Sequence, residues 1–272
     1  MIQLNDLRFG YRKKQAPLFD GLKLQLEPGT ITGILGKNGA GKTTVLRLIS
    51  GLLFPQQGSA TVHGQLSHER RVSMLENLFY VQEEYIFPEV TMARYIDLNQ
   101  SFYPGWDQAK LEQILIEFEL PANKKIKELS FGQKKKFLIA FALATGCKLL
   151  ILDEPTNGLD IPSKTIFRKV VSSALAEDQC ILISTHQVKD VANLLDRIVV
   201  IEGGRVIFNQ DLYQVSERYR FDFLPGSTLP ENHLYAEQVP GGHVVMDHHT
   251  AGAPSTEVDI EILFNAIISK SI

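Results

Sequence analysis

Over residues 2–35 apolar positions alternate with polar ones, with Leu22, Leu24 and Leu26 on one face, and this predicts strands. Pro28-Gly29 turns the chain into Thr30, Ile31, Thr32, Gly33, Ile34 and Leu35, a β-branched apolar run suited to a buried strand. Residues 44–50 then carry apolar side chains at helical spacing and stop at Gly51. A turn over 55–58, a short strand over 59–62 ending at His63-Gly64, and a strand over 78–81 ending at Gln82 follow. From 87 to 145 the pattern is helical. Thr91 and Asp107 are candidate N-caps, Leu111, Ile114, Leu115 and Phe118 share a face, and Pro104-Gly105 and Pro121 punctuate the segment. It interrupts a strand series and so reads as an inserted helical subdomain.

Strands are predicted again over 149–152, running into Asp153-Glu154-Pro155, and over 180–184, meeting His186. Helices are predicted over 166–176 and 188–195, and a hairpin joins 198–201 to 206–208. Strands alternating with helices predict an α/β fold with a largely parallel sheet. Pro225, Gly226, Pro230, Pro240, Gly241 and Gly242 break the remainder into short pieces before a closing helix over 258–268. The chain therefore divides into residues 1–210 and an extension, 211–272, of unknown role.

Composition changes this picture little. The 272 residues allow a sizeable core, and 44% hydrophobic with 22% charged residues is ordinary globular composition. A net charge of −3 gives no global reason to expect a nucleic-acid partner. Cys147 and Cys180 lie in apolar runs and read as reduced core residues. No signal peptide is apparent at the N-terminus, and the longest apolar run, 137–147, is well short of the ~20 residues that span a bilayer. Any service to a membrane is expected from outside the bilayer.

The candidate chemistry begins at Gly36, Lys37, Asn38, Gly39, Ala40, Gly41, Lys42 and Thr43, which fit G-x-x-x-x-G-K-[ST] between a strand and a helix. Such glycines let backbone N–H groups converge on phosphate oxygens at a helix N-terminus. Lys42 is expected at the β/γ-phosphates, with the Thr43 hydroxyl on Mg²⁺. Asp153 closes a buried apolar strand and can hold the metal, while Glu154 can orient or deprotonate an attacking water. His186 should emerge at the same sheet edge, where it can sense the γ-phosphate or simply be a loop residue. Ser130 as an N-cap with Gly132 makes a second anion-binding helix N-terminus, for a second anion or for a partner's nucleotide. The Lys134, Lys135 and Lys136 run that follows is expected to form a solvated face. Tyr11, beside Arg12, Lys13 and Lys14, can stack on an adenine or cover the sheet edge. His243, Asp247, His248 and His249 lack a known metal spacing and read as a polar surface loop.

Taken together, residues 1–210 resemble the nucleotide-binding subunit of ATP-binding cassette (ABC) transporters. The carrying motifs run in that family's order. They are Tyr11 (A-loop), 36–43 (Walker A), Gln82 (Q-loop), Leu129-Ser130-Phe131-Gly132-Gln133 (signature), Asp153-Glu154-Pro155-Thr156 (Walker B), Asn157-Gly158-Leu159-Asp160 (D-loop) and His186 (switch). The resemblance implies a P-loop NTPase fold, a RecA-like parallel core with an N-terminal antiparallel β subdomain. It implies an ATPase using ATP and Mg²⁺. Tyr11, residues 36–43 and Thr44 would bind the nucleotide, while Ser130, Gly132, Gln133 and Asp160 would serve a partner's nucleotide. Thr43, Gln82 and Asp153 would hold the metal, and Glu154, His186, Lys42 and Gln82 would carry the chemistry. Partners implied are a second nucleotide-binding subunit, homodimeric or paralogous, paired head to tail, and transmembrane permease subunits on the cytoplasmic face.

Phe131 stands where the commonest signature has glycine, Ile161 precedes Pro162 after the D-loop aspartate, and no Glu-Arg-Gly segment precedes the signature. The stretch from Tyr103 through Asp107, Lys124-Lys125 and Gly132-Gln133-Lys134-Lys135 look like the ABC-2-type, mostly bacterial exporter branch. The alternative is a soluble ABC ATPase that moves no substrate, such as an iron–sulfur assembly subunit. A single cassette argues against translation factors, and the lack of a heptad run between Gln82 and the signature argues against the DNA-repair members. Glu154 and His186 together disfavour a sensor without turnover.

Overall fold

The computed structural model describes residues 1–12, 15–121, 124–226, 229, 233–249 and 256–272. Lys13, Lys14 and Pro230, named above, lie outside the described residues. β1 (Ile2–Phe9) and β2 (Phe19–Leu26) pair antiparallel and are followed by β3 (Thr30–Leu35), which runs through residues 36–41 into α1 (Lys42–Ile49). β4 (Gln57–Val62) and β5 (Gln65–Leu66) complete a four-stranded antiparallel sheet of order β2-β1-β4-β5. The short α2 (Val72–Leu75) leads to β6 (Leu78–Val81). Then come α3 (Met92–Asn99), α4 (Gln108–Glu117) and α5 (Phe131–Ala144), capped by the side chains of Thr91, Asp107 and Ser130. The expected N-caps are all in place.

β7 (Leu149–Asp153), α6 (Ile161–Ala174), β8 (Cys180–Thr185), β9 (Arg197–Glu202) and β10 (Arg205–Asp211) finish a six-stranded sheet of order β10-β9-β3-β8-β7-β6. All its neighbours are parallel except the β9–β10 hairpin. Its strands bury both faces, which is why they read as continuous apolar runs. Ile31, Leu35, Leu150, Leu152, Ile181, Ile183, Ile198 and Val200 join α5 and α6 in one hydrophobic cluster. Their neighbours Ile34, Leu149, Ile151, Leu182, Val199 and Ile201 join α1, β1 and β2 in the other. The period-2 pleat thus sorts each strand between two cores. Cys147 and Cys180 are buried free thiols, and burial pushes both up to about 12.

Three expectations are corrected. Residues 188–195 form two 3₁₀ turns, Val188–Asp190 and Ala192–Leu194, and no α-helix. Tertiary contacts hold them there: Lys164 pairs with the Asp190 carboxylate at 2.6 Å and Arg168 donates to the Asp190 carbonyl at 3.2 Å. The expected short pieces of the extension are ordered as α7 (Leu212–Arg218) and the strands β11 (Tyr219–Pro225), β12 (Tyr235–Val239) and β13 (Gly242–His248), followed by α8 (Ile260–Ile268). The strands form an antiparallel sheet of order β11-β13-β12. Pro240-Gly241 is the two-residue turn of its hairpin, with Gly241 at φ +90. Accordingly His243 and Asp247 lie within β13, His243 buried, and not in a surface loop. Among the described residues no group of three or more His, Cys, Asp and Glu side chains is placed to hold a metal ion. Val215, Phe221, Met246, Leu263 and Ala266 bury into the same cluster as α5 and α6.

Candidate functional site

The parallel register brings Leu35, Asp153 and Thr185 to one edge of the central sheet, with Leu35 opposite Thr185 and Asp153 opposite Ser184. Beyond that edge lies a cleft of about 900 Å³, lined by Tyr11, residues 38–44, Glu83, Glu154 and His186. The loop over 36–41 needs its glycines. A Cβ on Gly36 would lie 2.6 Å from the Ile201 carbonyl, and Gly41, at the helix N-cap, has φ +104. α1 therefore starts with its N–H groups facing the cleft, the arrangement that favours an anion.

Lys42 is buried, and its Nζ donates to the Gly36 carbonyl at 2.8 Å, folded back over the loop. Burial lowers its pKa, while the carboxylates of Glu154, Asp153 and Glu83 push it back up. Thr43 Oγ1 donates to Asp153 Oδ1 at 3.2 Å, Tyr80 Oη to Asp153 Oδ2 at 2.9 Å, and Ser184 Oγ to Asp153 Oδ1. Burial and the neighbouring Asp153 charge raise the Tyr80 pKa, so the phenol remains a donor. Three hydroxyls around one buried carboxylate make an oxygen-rich nest. Thr43 and Asp153 offer the donors that a hard divalent cation takes, so the residues fit Mg²⁺.

Glu154 is buried and sits at φ +46, a left-handed conformation that costs a non-glycine residue of order 1–3 kcal/mol. Its amide donates to the Ser184 carbonyl at 3.0 Å, which holds this backbone in place. The effect is to turn the carboxylate to His186, whose Nδ1 lies 2.8 Å from Glu154 Oε1, while the His186 amide lies 3.4 Å from Oε2. The other ring nitrogen of His186, Nε2, lies 3.5 Å from Gln187 Nε2. Tyr11 stands exposed at the cleft mouth, edge-on to Phe9, with its hydroxyl 2.9 Å from Thr44 Oγ1.

Not every expected residue joins this cleft. Gln82 lines a separate cavity of about 250 Å³ with Tyr80, Tyr85 and Tyr95, while Glu83 lines the cleft described above. The pleat ends at Val81 and beyond it no longer predicts side-chain direction. Tyr80 and Glu83 were missed for the same reason: nothing in their spacing separates them from an ordinary strand end. Ser130, Gly132 and Gln133 also lie off the cleft. Ser130 Oγ accepts from the Gln133 amide at 3.2 Å and Gln133 Oε1 from the Ser130 amide at 3.0 Å, a reciprocal cap. Asp160 caps α6 through the Ser163 amide, and hydrogen bonding to the Ser163 side chain, then to its backbone, lowers the Asp160 pKa. Lys37 reaches Glu202 at 3.7 Å.

Residues 19–157 match the family model described as ABC transporter. The chain is 33% identical over 234 residues to the ABC transporter ATP-binding protein NatA of Bacillus subtilis, covering 82% of this chain and 95% of that protein. It is 29% identical to YtrB of the same organism, an ABC transporter ATP-binding protein, over 80% of this chain and 75% of that one. Among solved structures, an ATP-binding subunit of an ABC transporter superposes with a TM-score of 0.71 at 26% identity, covering 79% and 91% of the two chains. A dimeric ATP-binding cassette bound to ADP and Pi gives a TM-score of 0.68 at 23% identity, over 78% and 99%, a likeness of fold.

Proposed function

The chain belongs to the ABC transporter family as an ATP-binding ATPase subunit, and from that premise we propose that it powers an exporter by ATP-driven, head-to-tail closure of two copies. The observation that carries this reading is the separation of two half-sites on one chain. The cleft is lined by Lys42, Thr43, Glu154 and His186, with Asp153 behind it on Thr43, whereas the capped turn at Ser130, Gly132 and Gln133 is exposed or half-exposed away from it. An exposed helix N-terminus that lies off the cleft is suited to a phosphate presented by a partner. The γ-phosphate then bridges two chains, and its loss removes the contact that favours the closed form.

Within the cleft the protein's task is positioning and charge stabilisation. The loop over 36–41 and α1 cradle the phosphates, and Lys42 swings from the Gly36 carbonyl to the γ-phosphate. Glu154 holds the attacking water and accepts its proton. His186, hydrogen-bonded through Nδ1 to that carboxylate, orients it beside the phosphate. Thr43 and Asp153 would hold Mg²⁺, with Gln82 joining only if its loop turns; the ion when bound offsets phosphate charge. Tyr11 offers its exposed face to the adenine. Gly132 approaches the Gly158 carbonyl so closely that a Cβ would lie 2.6 Å from it, which seats the signature turn on residues 157–160.

Several relatives are named export ATP-binding proteins, among them SkfE of Bacillus subtilis and the Nod factor export ATP-binding protein I of Rhizobium etli. Among the described residues no helix is long and apolar enough to cross a membrane. By analogy with those relatives, the proposal puts this chain on the cytoplasmic face, held there by permease subunits. Residues 1–210 would be the cassette and 211–272 an extension packed on it. Affinity purification of the tagged chain from its own cells should bring down a polytopic membrane protein. Recovery of the chain without one, under detergents that keep membrane complexes intact, favours the transport-independent alternative.

A further inference from the structure

Lys135 is a buried cation that the chemistry above does not use. The sequence placed it on a solvated face with Lys134 and Lys136, but only 5% of it is exposed. Helical spacing explains this, since residue 135 shares a stripe with Leu138, Ile139 and Ala142, all fully covered. A buried ammonium is costly unless it is paired. Here its partners are two main-chain carbonyls, those of Gln82 at 3.1 Å and Glu83 at 2.7 Å. Both belong to the loop that leaves β6 for the helical segment.

That loop is tied onward. Glu83 Oε1 accepts from Asn157 Nδ2 at 3.1 Å, and Asn157 Oδ1 accepts from Gln187 Nε2 at 3.4 Å. Gln187 adjoins His186, which is on Glu154. The first turn of α5 has a second hold on the same region through Phe131. A Cβ added to Gly158 would lie 2.3 Å from the Phe131 ring, and Lys135 Nζ sits 6.0 Å from that ring's centre. Lys135 and Lys42 also feel the same three carboxylates, Glu83, Asp153 and Glu154, from two different elements.

We propose that Lys135 is a positioning residue: it clamps the backbone of 82–83 to α5, sets Glu83 against Asn157, and so aligns the Glu154–His186 pair with the state of the Ser130 turn. This rests on the reading of Glu154 and His186 given above. A lysine suits the task because both acceptors are carbonyls and it supplies donors alone. When a partner's nucleotide engages the Ser130 turn, any rotation of α5 is delivered to the cleft through the 82–83 backbone. The carrier is a contiguous set of hydrogen bonds.

The test is steady-state ATPase kinetics of the purified chain with Lys135→Met, which keeps length and apolar stem but removes the donors. We expect kcat to fall about tenfold with KM for ATP within about twofold, the size and the split of a lost coupling contact. Asn157→Ala cuts the chain further along, should fall similarly, and carries the test alone if Lys135→Met does not fold. The double variant should lose no more than the larger single loss. Lys135→Arg, which retains donors, should recover most of the rate. Wild-type kcat in both single variants, or fully multiplicative losses in the double, overturns the proposal. Glu154→Gln separates the two levels. If it is inactive while Lys135→Met and Asn157→Ala are both normal, only the clamp fails; if it turns over normally, the site assignment fails first.

Discussion

Glu154→Gln is expected to bind ATP as the wild type does and to hydrolyse it about 10²–10⁴-fold more slowly, the loss typical of a removed general base. The geometry gives the reason. Glu154 holds a buried left-handed position, its amide fixed on the Ser184 carbonyl, and it faces His186 at 2.8 Å. Glutamine keeps the shape and a hydrogen bond to His186 but cannot take a proton at neutral pH. Nucleotide affinity depends on the loop over 36–43 and should be retained. Single-turnover hydrolysis measured beside ATP binding by calorimetry checks both halves. Near-normal turnover removes Glu154 from the role of base.

Lys42→Ala should act on the other quantity. The ammonium is the one buried cation lining the cleft among the described residues, and a charge-assisted hydrogen bond contributes about 1.5–3 kcal/mol. ATP affinity should therefore weaken by about 10- to 150-fold, at 1.4 kcal/mol per decade. Its present partner, the Gly36 carbonyl at 2.8 Å, would lose a donor as well, so the loop itself should loosen. Calorimetry with ATP and ADP distinguishes the terms, since a γ-phosphate contact costs ATP more than ADP. Unchanged ATP affinity contradicts the cradle.

Much of this was legible before any coordinates. The pattern over 36–43 fixes a loop geometry, and buried parallel strands bring Asp153 and His186 to the same edge. The α/β core, the helical caps at Thr91, Asp107 and Ser130, and the cleft follow from such local rules. What escaped depends on contacts distant in sequence. Lys164 and Arg168 hold residues 188–195 as 3₁₀ turns against their helical pattern. The β11–β13 sheet escaped because Pro240-Gly241 reads as a break, although it is the turn that makes the hairpin. That Glu83 rather than Gln82 lines the cleft escaped because strand pleating stops one residue earlier. Lys135 is the instructive case: charge suggested solvent, while its apolar stripe already pointed inward.

In the proposed mechanism each site is shared by two chains. Sedimentation velocity of Glu154→Gln, with and without Mg²⁺-ATP, tests it most directly. The expected result is a monomer without nucleotide and a dimer with ATP, reversed by exchange into ADP and abolished by adding Ser130→Arg, which leaves the cleft intact but blocks the signature turn. A sedimentation coefficient that ATP does not change, or an ATP-dependent dimer indifferent to Ser130→Arg, would contradict the composite site.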